Sequence, residues 1–188
     1  FVRQHASHPL ETDQVTCALE LLEMQRQALL MYTSCGWFYD DISGIESTQI
    51  LRYAAHAIGL ATPYVVEETG AASLMDDFVK RLEDAAANHP ELRNGRLVFL
   101  EQVEPAHITP AEVGAHYGMA ALFEMAPSRG MSRDQLHLFR FVDGNVRLDK
   151  AGNSRLAVGH VVVENRLTDR RNPVGFGFLS LGDHNVVG

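Results

Sequence analysis

The residues best suited to chemistry lie in one short segment, residues 33–46, which carries the single tryptophan of the chain, two further aromatic residues and an acid pair. Candidate substrate-binding residues are Trp37, Tyr39, Asp40 and Asp41. A flat aromatic ring can stack on the apolar C–H face of a sugar, and a neighbouring carboxylate can accept hydrogen bonds from the sugar hydroxyls. Residue types leave a second interpretation open, in which the rings fill the space between two helices and the acids lie at the positive N-terminus of the second helix.

The acid pair is not expected to be a catalytic pair. A glycosidase needs two carboxyl groups at least roughly 5 Å apart that flank one bond, and the neighbours Asp40 and Asp41 seldom achieve that. No His-x-x-His or Glu-x-x-His spacing lies nearby, so no metal site is predicted. Cys35 has no charged or histidine neighbour in sequence and is interpreted as a buried thiol. We therefore predict no catalytic residue, no metal and no cofactor in this chain.

A secondary candidate lies near the end of the sequence, in Gly182-Asp183-His184-Asn185. Asp183 and His184 could reach a ligand from a turn at the end of a strand. Capping of the backbone by the same side chains is the commoner role of such turns.

Composition excludes several partner classes. The 188 residues carry a formal net charge of −8, and no compact Lys/Arg cluster offsets it, so nucleic acid is not an expected partner. The longest uncharged stretch of helical character is about twelve residues, short of the roughly twenty that a membrane span needs. Two cysteines do not make a disulfide framework, and a reducing, cytoplasmic location is expected. The chain begins at Phe1, which suggests a piece of a longer protein.

The charge balance and the hydrophobic period both change near residues 126–130, a run rich in Pro, Ser and Gly. Residues 1–127 contain 7 basic and 18 acidic side chains, whereas residues 128–188 contain 9 basic and 6 acidic ones. The sequence predicts an α+β protein, with a helical subdomain over 1–127 and an antiparallel β subdomain over 128–188 that is incomplete at its C-terminal end.

About four helices are expected in the first part. The first begins with Thr12 as its N-cap, and its apolar positions step by four and three along one face. That face consists of Cys17, Leu21, Met24, Ala28, Met31 and Cys35. A second helix starts at the capping-box spacing Ser43 to Glu46 and runs to about Ile58, and a third spans about residues 73–88. Thr109, followed by Pro110 and Glu112, is the clearest helix start in the chain.

Three strand signals follow. Asp143-Gly144-Asn145 lies between two apolar runs and predicts a hairpin turn. A β-branched run is centred on residues 161–163, and residues 174–181 alternate apolar side chains with glycine. These segments predict an antiparallel sheet.

Residues 22–46 strongly resemble the C-terminal domain of unknown function in bacterial proteins related to glycoside hydrolase family 57. The matching stretch reads LEMQRQALLMYTSCGWFYDDISGIE, and weaker agreement continues through residues 49–57, 109–123 and 179–185. In that family a deformed (β/α)-barrel precedes a helical C-terminal region, and members act on α-linked sugars by a retaining mechanism. The barrel holds the glutamate nucleophile and the aspartate acid/base, and neither the barrel nor its motifs are found in this sequence.

The resemblance implies a non-catalytic C-terminal segment that packs on the catalytic barrel of the same polypeptide and contributes to a cleft for α-linked carbohydrate. Residues 36–39 look like the family's aromatic-rich segment, which closes over the sugar site. The chain alone is then expected to be inactive. The alternative is a stand-alone interaction or structural module without any sugar contact.

Overall fold

The computed structural model describes residues 1–69, 74–123, 135–182 and 186–188. They form two compact units, Phe1–His107 and Ile108–Gly188. The first is helical and the second holds an antiparallel sheet, which confirms the predicted α+β class. The sequence places a boundary between residues 127 and 128, in a stretch that lies outside the described residues. The observed division at His107 differs because one helix of the second unit lies on the sheet.

The first unit contains five of the described helices. They are α1 (Val2–His5), α2 (Thr12–Leu30), α3 (Ile45–Thr69), α4 (Leu74–Arg81) and α5 (Gly95–Val98). Single 3-10 turns lie at Ser34–Trp37, Leu82–Asp84 and Glu104–Ala106, and a π-helical turn at Phe99–Val103. The predicted second helix begins at Ile45 and extends beyond Ile58, through Pro63. The Ser43 hydroxyl, predicted to cap this helix, donates instead to the Asp41 carboxylate. The predicted start of the third helix, Ser73, lies outside the described residues.

Helix α2 packs against α3, and the apolar stripe predicted for its buried face is wrong. No member of the stripe is buried, whereas Thr16, Glu23 and Gln27 are. The Glu23 carboxylate accepts hydrogen bonds from the Gln27 amide at 2.6 Å and from the Arg26 guanidinium at 2.7 Å. These polar groups satisfy one another, so a polar face can be buried without unpaired donors or acceptors. The N-cap of α2 is likewise Glu11, one residue before the predicted Thr12.

The hydrophobic core of the first unit lies between α3 and the segment that follows α4. Its buried members are Leu51, Ala55, Val98, Phe99 and Val103, and half-buried side chains surround them. One of these is Ile42, which approaches so closely to the backbone of Gly95 that a Cβ there would lie 2.8 Å from its terminal carbon. The loop before α3 is thereby anchored to the core.

The second unit begins with α6 (Pro110–Leu122), and its predicted capping box is confirmed. The Glu112 N–H donates to the Thr109 hydroxyl at 3.3 Å, and the Thr109 N–H donates to the Glu112 carboxylate at 2.7 Å. Glycines at 114 and 118 let α6 lie close to the sheet, since a Cβ on Gly118 would lie 2.5 Å from the ring of Phe176.

The sheet of the described residues is an antiparallel meander in the order β1-β2-β3-β4-β5. Its strands are β1 (Gln135–Leu136), β2 (Phe139–Ala151), β3 (Ser154–Asn165), β4 (Arg171–Ser180) and β5 (Val186–Val187). The face beneath α6 is apolar, with Phe139, Val161 and Val163 buried against Val113.

The predicted turn at Asp143-Gly144 is wrong, because both residues lie inside β2 next to an irregularity in its register. The chain turns instead between Ala151 and Ser154, where Gly152 has a φ of +59°. Glycine adopts that conformation without strain, as the first central residue of a two-residue hairpin turn requires. Within β2, Gly144 lies close to β3, since a Cβ there would lie 3.2 Å from the His160 carbonyl oxygen.

Candidate functional site

The candidate site occupies the connection between α2 and α3. Helix α2 ends at Leu30, where the Thr33 hydroxyl donates to the Leu30 carbonyl at 2.9 Å, and the 3-10 turn Ser34–Trp37 follows. Gly36 lies directly against α3, because any Cβ there would overlap the side chain of Ile50. A glycine at this position is therefore what lets the turn lie flat on α3 and present the next residues outward.

Trp37, Phe38 and Tyr39 form an exposed segment, here called the aromatic segment. Their exposed fractions are 68%, 80% and 59%, so the rings do not fill the space between the helices. The indole N–H of Trp37 donates to the Met31 carbonyl at 2.9 Å. The rings of Phe38 and Tyr39 meet edge to face, with centroids 5.1 Å apart. The Trp37 ring is thus held by its one polar atom while much of its surface stays open to solvent.

The two adjacent acids have different environments. Asp40 is exposed and makes no hydrogen bond or ion pair with any part of the chain that the structure describes. Asp41 is half-buried, and its carboxylate accepts hydrogen bonds from the Ser43 N–H at 3.0 Å, the Ser43 hydroxyl at 2.8 Å and the Asn88 N–H at 3.2 Å. These donors, the Ser43 N–H most of all, hold the pKa of Asp41 below its usual value. Asp40 is therefore the carboxylate left open to a ligand.

Sequence reasoning missed the residues that support this segment. Nothing in the sequence signals the N–H of Asn88 or the carbonyl of Met31 as partners, because both contacts join residues through backbone atoms. The sequence does signal the contact between Asp41 and Ser43. An aspartate side chain commonly accepts a hydrogen bond from the backbone N–H two residues later, which forms a local turn.

Two further sequence candidates have different outcomes. Asp183 and His184 lie outside the described residues. Cys35, in the 3-10 turn Ser34–Trp37, is exposed rather than buried. Within the described ranges, no three His, Cys, Asp or Glu side chains are grouped closely enough to hold a metal ion.

The sequence around the aromatic segment contains further exposed apolar side chains and acids but no Lys or Arg. Tyr32 precedes it and Ile45 follows it, and both side chains are exposed. From residue 27 to residue 51 the sequence contains no Lys or Arg, while it contains Asp40, Asp41 and Glu46. This arrangement suits a neutral ligand that has both apolar faces and hydroxyl donors.

Comparisons with known proteins give one match. The model of a family described as a domain of unknown function, DUF3536, matches residues 1–188, the whole length of the sequence. Neither the curated proteins nor the solved structures contain a match to the chain. None of the described helices has the length and apolar character needed to cross a membrane.

Proposed function

The chain belongs to the DUF3536 family of domains of unknown function, and we propose that it is a non-catalytic accessory region of a bacterial, cytoplasmic, family 57-like glycoside hydrolase. In this proposal it packs on the catalytic barrel of the same polypeptide, downstream of that barrel, and adds its aromatic segment to a cleft for α-linked carbohydrate. The resemblance of residues 22–46 supports the family 57 part of the proposal. The exposed aromatic segment supports the carbohydrate part.

The observation that carries the carbohydrate part is the state of Trp37. A tryptophan that is 68% exposed leaves a large apolar ring in water, and such a ring is commonly part of a binding surface. Its N–H is already bonded to Met31, which leaves stacking as the main interaction that the ring can offer. A pyranose ring presents a flat C–H face of similar size.

Asp40 supplies the polar half of such a contact. Its carboxylate has no partner among the residues that the structure describes and can accept hydrogen bonds from two sugar hydroxyls. Tyr39 lies one residue away and adds a hydroxyl that can both donate and accept. The combination of a stacking ring and hydrogen-bonding groups defines the orientation of a sugar.

The direct test is a titration of the chain with maltoheptaose, followed by calorimetry and by the fluorescence of Trp37, the single tryptophan. We expect saturable binding, and we expect Trp37→Ala to weaken it roughly 5- to 150-fold, the equivalent of about 1–3 kcal/mol for a lost stacking ring. Phe1→Ala is the matched control, because Phe1 is another highly exposed ring in the same unit. Equal affinity in wild type and Trp37→Ala would refute the stacking role.

A second test concerns catalysis. The isolated chain should show no turnover of α-glucans or aryl α-glycosides above buffer, because adjacent acids do not flank a bond from two sides. Hydrolysis that disappears in Asp40→Asn would overturn the accessory assignment. Identification of the residues encoded before Phe1 tests the barrel itself.

The alternative function is an interaction or structural module without sugar contact. The exposure of Phe38 and Ile45, 80% each, favours it, since neither side chain has an obvious task in sugar stacking. This alternative predicts a flat maltoheptaose titration for the wild-type chain.

A further inference from the structure

We propose that Asp41 is a positioning residue that fastens the aromatic segment to the loop formed by residues 85–94, while Asp40 is the acid that contacts the ligand. The role of Asp40 rests on the proposed function, whereas the role of Asp41 in fixing the segment does not. Asp40 and Asp41 are chemically identical, and they differ in which groups already donate hydrogen bonds to their carboxylate oxygens.

Asp41 accepts hydrogen bonds both from residues that closely follow it in the chain and from a distant loop. One carboxylate oxygen, Oδ1, accepts from the Ser43 N–H at 3.0 Å and from the Asn88 N–H at 3.2 Å, and the other, Oδ2, accepts from the Ser43 hydroxyl at 2.8 Å. Its carbonyl oxygen accepts from the Ser47 hydroxyl at 2.9 Å. Asp41 is thus bonded to the first turn of α3 and to a loop 47 residues further along the chain.

The loop that Asp41 reaches is itself ordered by hydrogen bonds. The Ala87 N–H donates to the Arg93 carbonyl at 3.0 Å, and the Gly95 N–H donates to the Ala85 carbonyl at 2.8 Å. The His89 ring nitrogen Nδ1 accepts from the N–H groups of Glu91 and Leu92, both at 3.2 Å. These hydrogen bonds hold the loop in one conformation. The hydrogen bond from the Asn88 N–H to Asp41 therefore fixes the position of the aromatic segment relative to this loop.

Other contacts also hold this stretch, among them the hydrogen bond from the Trp37 N–H to the Met31 carbonyl. Gly36 lies on Ile50 before the aromatic residues, and Ile42 is anchored in the core after them. Between Gly36 and Ile42, Asp40 makes no hydrogen bond or ion pair with the described residues. Asp41 is the acid that joins this stretch to a second part of the unit.

The ionised state of Asp41 agrees with this role. Hydrogen bonds from the Ser43 N–H, the Ser43 hydroxyl and the Asn88 N–H lower the pKa of the carboxyl group, so it stays charged at neutral pH. Both of its oxygen atoms are already acceptors, and a ligand hydroxyl would have to share them. The open acceptor beside the rings is Asp40.

The test compares Asp41→Ala, Asp41→Asn and the matched control Asp40→Ala in the full chain. Three measurements are made on each: amide hydrogen exchange of residues 86–92, quenching of Trp37 fluorescence by acrylamide, and affinity for maltoheptaose. Asp41→Ala should speed exchange of the Asn88 amide roughly tenfold and change Trp37 quenching, because the Asn88 N–H loses its acceptor. Asp41→Asn should stay close to wild type, since an amide oxygen can still accept from both N–H groups.

Asp40→Ala should leave exchange and quenching unchanged and should weaken maltoheptaose binding. Unchanged exchange and quenching in Asp41→Ala would overturn the positioning role. So would a loss of affinity in Asp41→Asn that equals the loss in Asp41→Ala, because that result would mean that the charge itself contacts the ligand.

Two safeguards keep the test decisive. If Asp41→Ala fails to fold, Asp41→Ser replaces it, because its shorter hydroxyl can still serve the local turn at Ser43 but does not extend to Asn88. If the wild-type chain binds no maltoheptaose, the proposed function fails, and exchange and quenching still decide whether Asp41 positions the segment.

Discussion

Glu164 carries the strongest energetic prediction, because its carboxylate is only 2% exposed near the end of β3, the central strand of the sheet. It lies on β3, and its cross-strand neighbours are Arg140 on β2 and Arg171 on β4. One oxygen accepts from both Nε and Nη2 of Arg140, and the other accepts from Nε of Arg171 at 2.8 Å. The two guanidinium side chains are 53% and 67% exposed, so water can solvate them if the carboxylate is removed.

The perturbation is a pair of substitutions of similar size, Glu164→Gln and Glu164→Met. Glutamine keeps one acceptor but turns an NH₂ group toward one arginine, so a buried donor faces a donor. We expect this to lower the free energy of unfolding by about 2–3 kcal/mol, below the roughly 3–5 kcal/mol for breaking a fully buried pair, because the arginines are half in water. Methionine removes both the charge and its desolvation penalty, and should change stability by less than about 1 kcal/mol.

Urea denaturation followed by far-UV circular dichroism measures the difference, and hydrogen exchange of β3 and β4 amides locates it in the sheet. Glu101→Gln, an exchange of an exposed glutamate in the first unit, is the control and should stay within about 0.5 kcal/mol of wild type. If methionine proves more destabilising than glutamine, the ion pair contributes net stability and the reasoning is wrong.

The same site predicts a pH dependence. Burial by itself raises the pKa of Glu164, but the hydrogen bonds from Arg171 and Arg140 outweigh it and hold the pKa below the usual 4.5. A lowered pKa in the folded state means that the contribution to stability is complete above about pH 4.5 and is lost as pH falls through the folded value. Acidification should therefore destabilise the wild type more than Glu164→Gln.

Three other predictions follow from single contacts. Thr109→Ala should lower the free energy of unfolding of the second unit by about 1 kcal/mol in urea denaturation, because the Thr109 hydroxyl caps α6. Thr109→Ser keeps a hydroxyl and should retain the stability of the wild type. Full stability of the alanine variant would contradict this. Gly118→Ala should lower the free energy of unfolding by about 1–3 kcal/mol, since the new methyl group meets the ring of Phe176. Gly177→Ala is the control and should be neutral or slightly stabilising, because no atom lies within 4 Å of its Cβ. Equal melting temperatures of the two variants would contradict this prediction. Burial lowers the pKa of His56 below 6.5 in the folded state, so on acidification the unfolded chain binds a proton at a higher pH than the folded chain does. Stability should therefore fall as the pH drops below about 6.5. An unchanged pH profile of stability in His56→Gln would show that this histidine does not contribute.

The sequence predicts those features whose contacts lie within a few residues of one another. The start of α6 is determined by Thr109, Pro110 and Glu112, because a capping box closes its hydrogen bonds within four residues. The change in hydrophobic period along the chain likewise predicts helices followed by strands, which the structure confirms. The sequence also places Trp37, Phe38 and Tyr39 in a connection between helices, since Gly36 ends the helical pattern.

Features that depend on distant partners were not readable in the same way. Whether Asp143-Gly144 turns or continues a strand depends on how far β3 pairs with β2, and pairing continues to Ala151. The turn therefore falls at Gly152, where glycine can adopt a positive φ.

The buried face of α2 and the division of labour between the acids were also decided only in three dimensions. Burial of Glu23 depends on the Gln27 amide and the Arg26 guanidinium, and hydropathy does not record such pairing. Asp40 and Asp41 are the same amino acid, and the N–H of Asn88 reaches one of them because the chain returns to that point 47 residues later. The sequence determined which groups are available for hydrogen bonding, and the tertiary structure decided which of them are already used, because a hydrogen bond between remote residues forms only once the fold has brought them together.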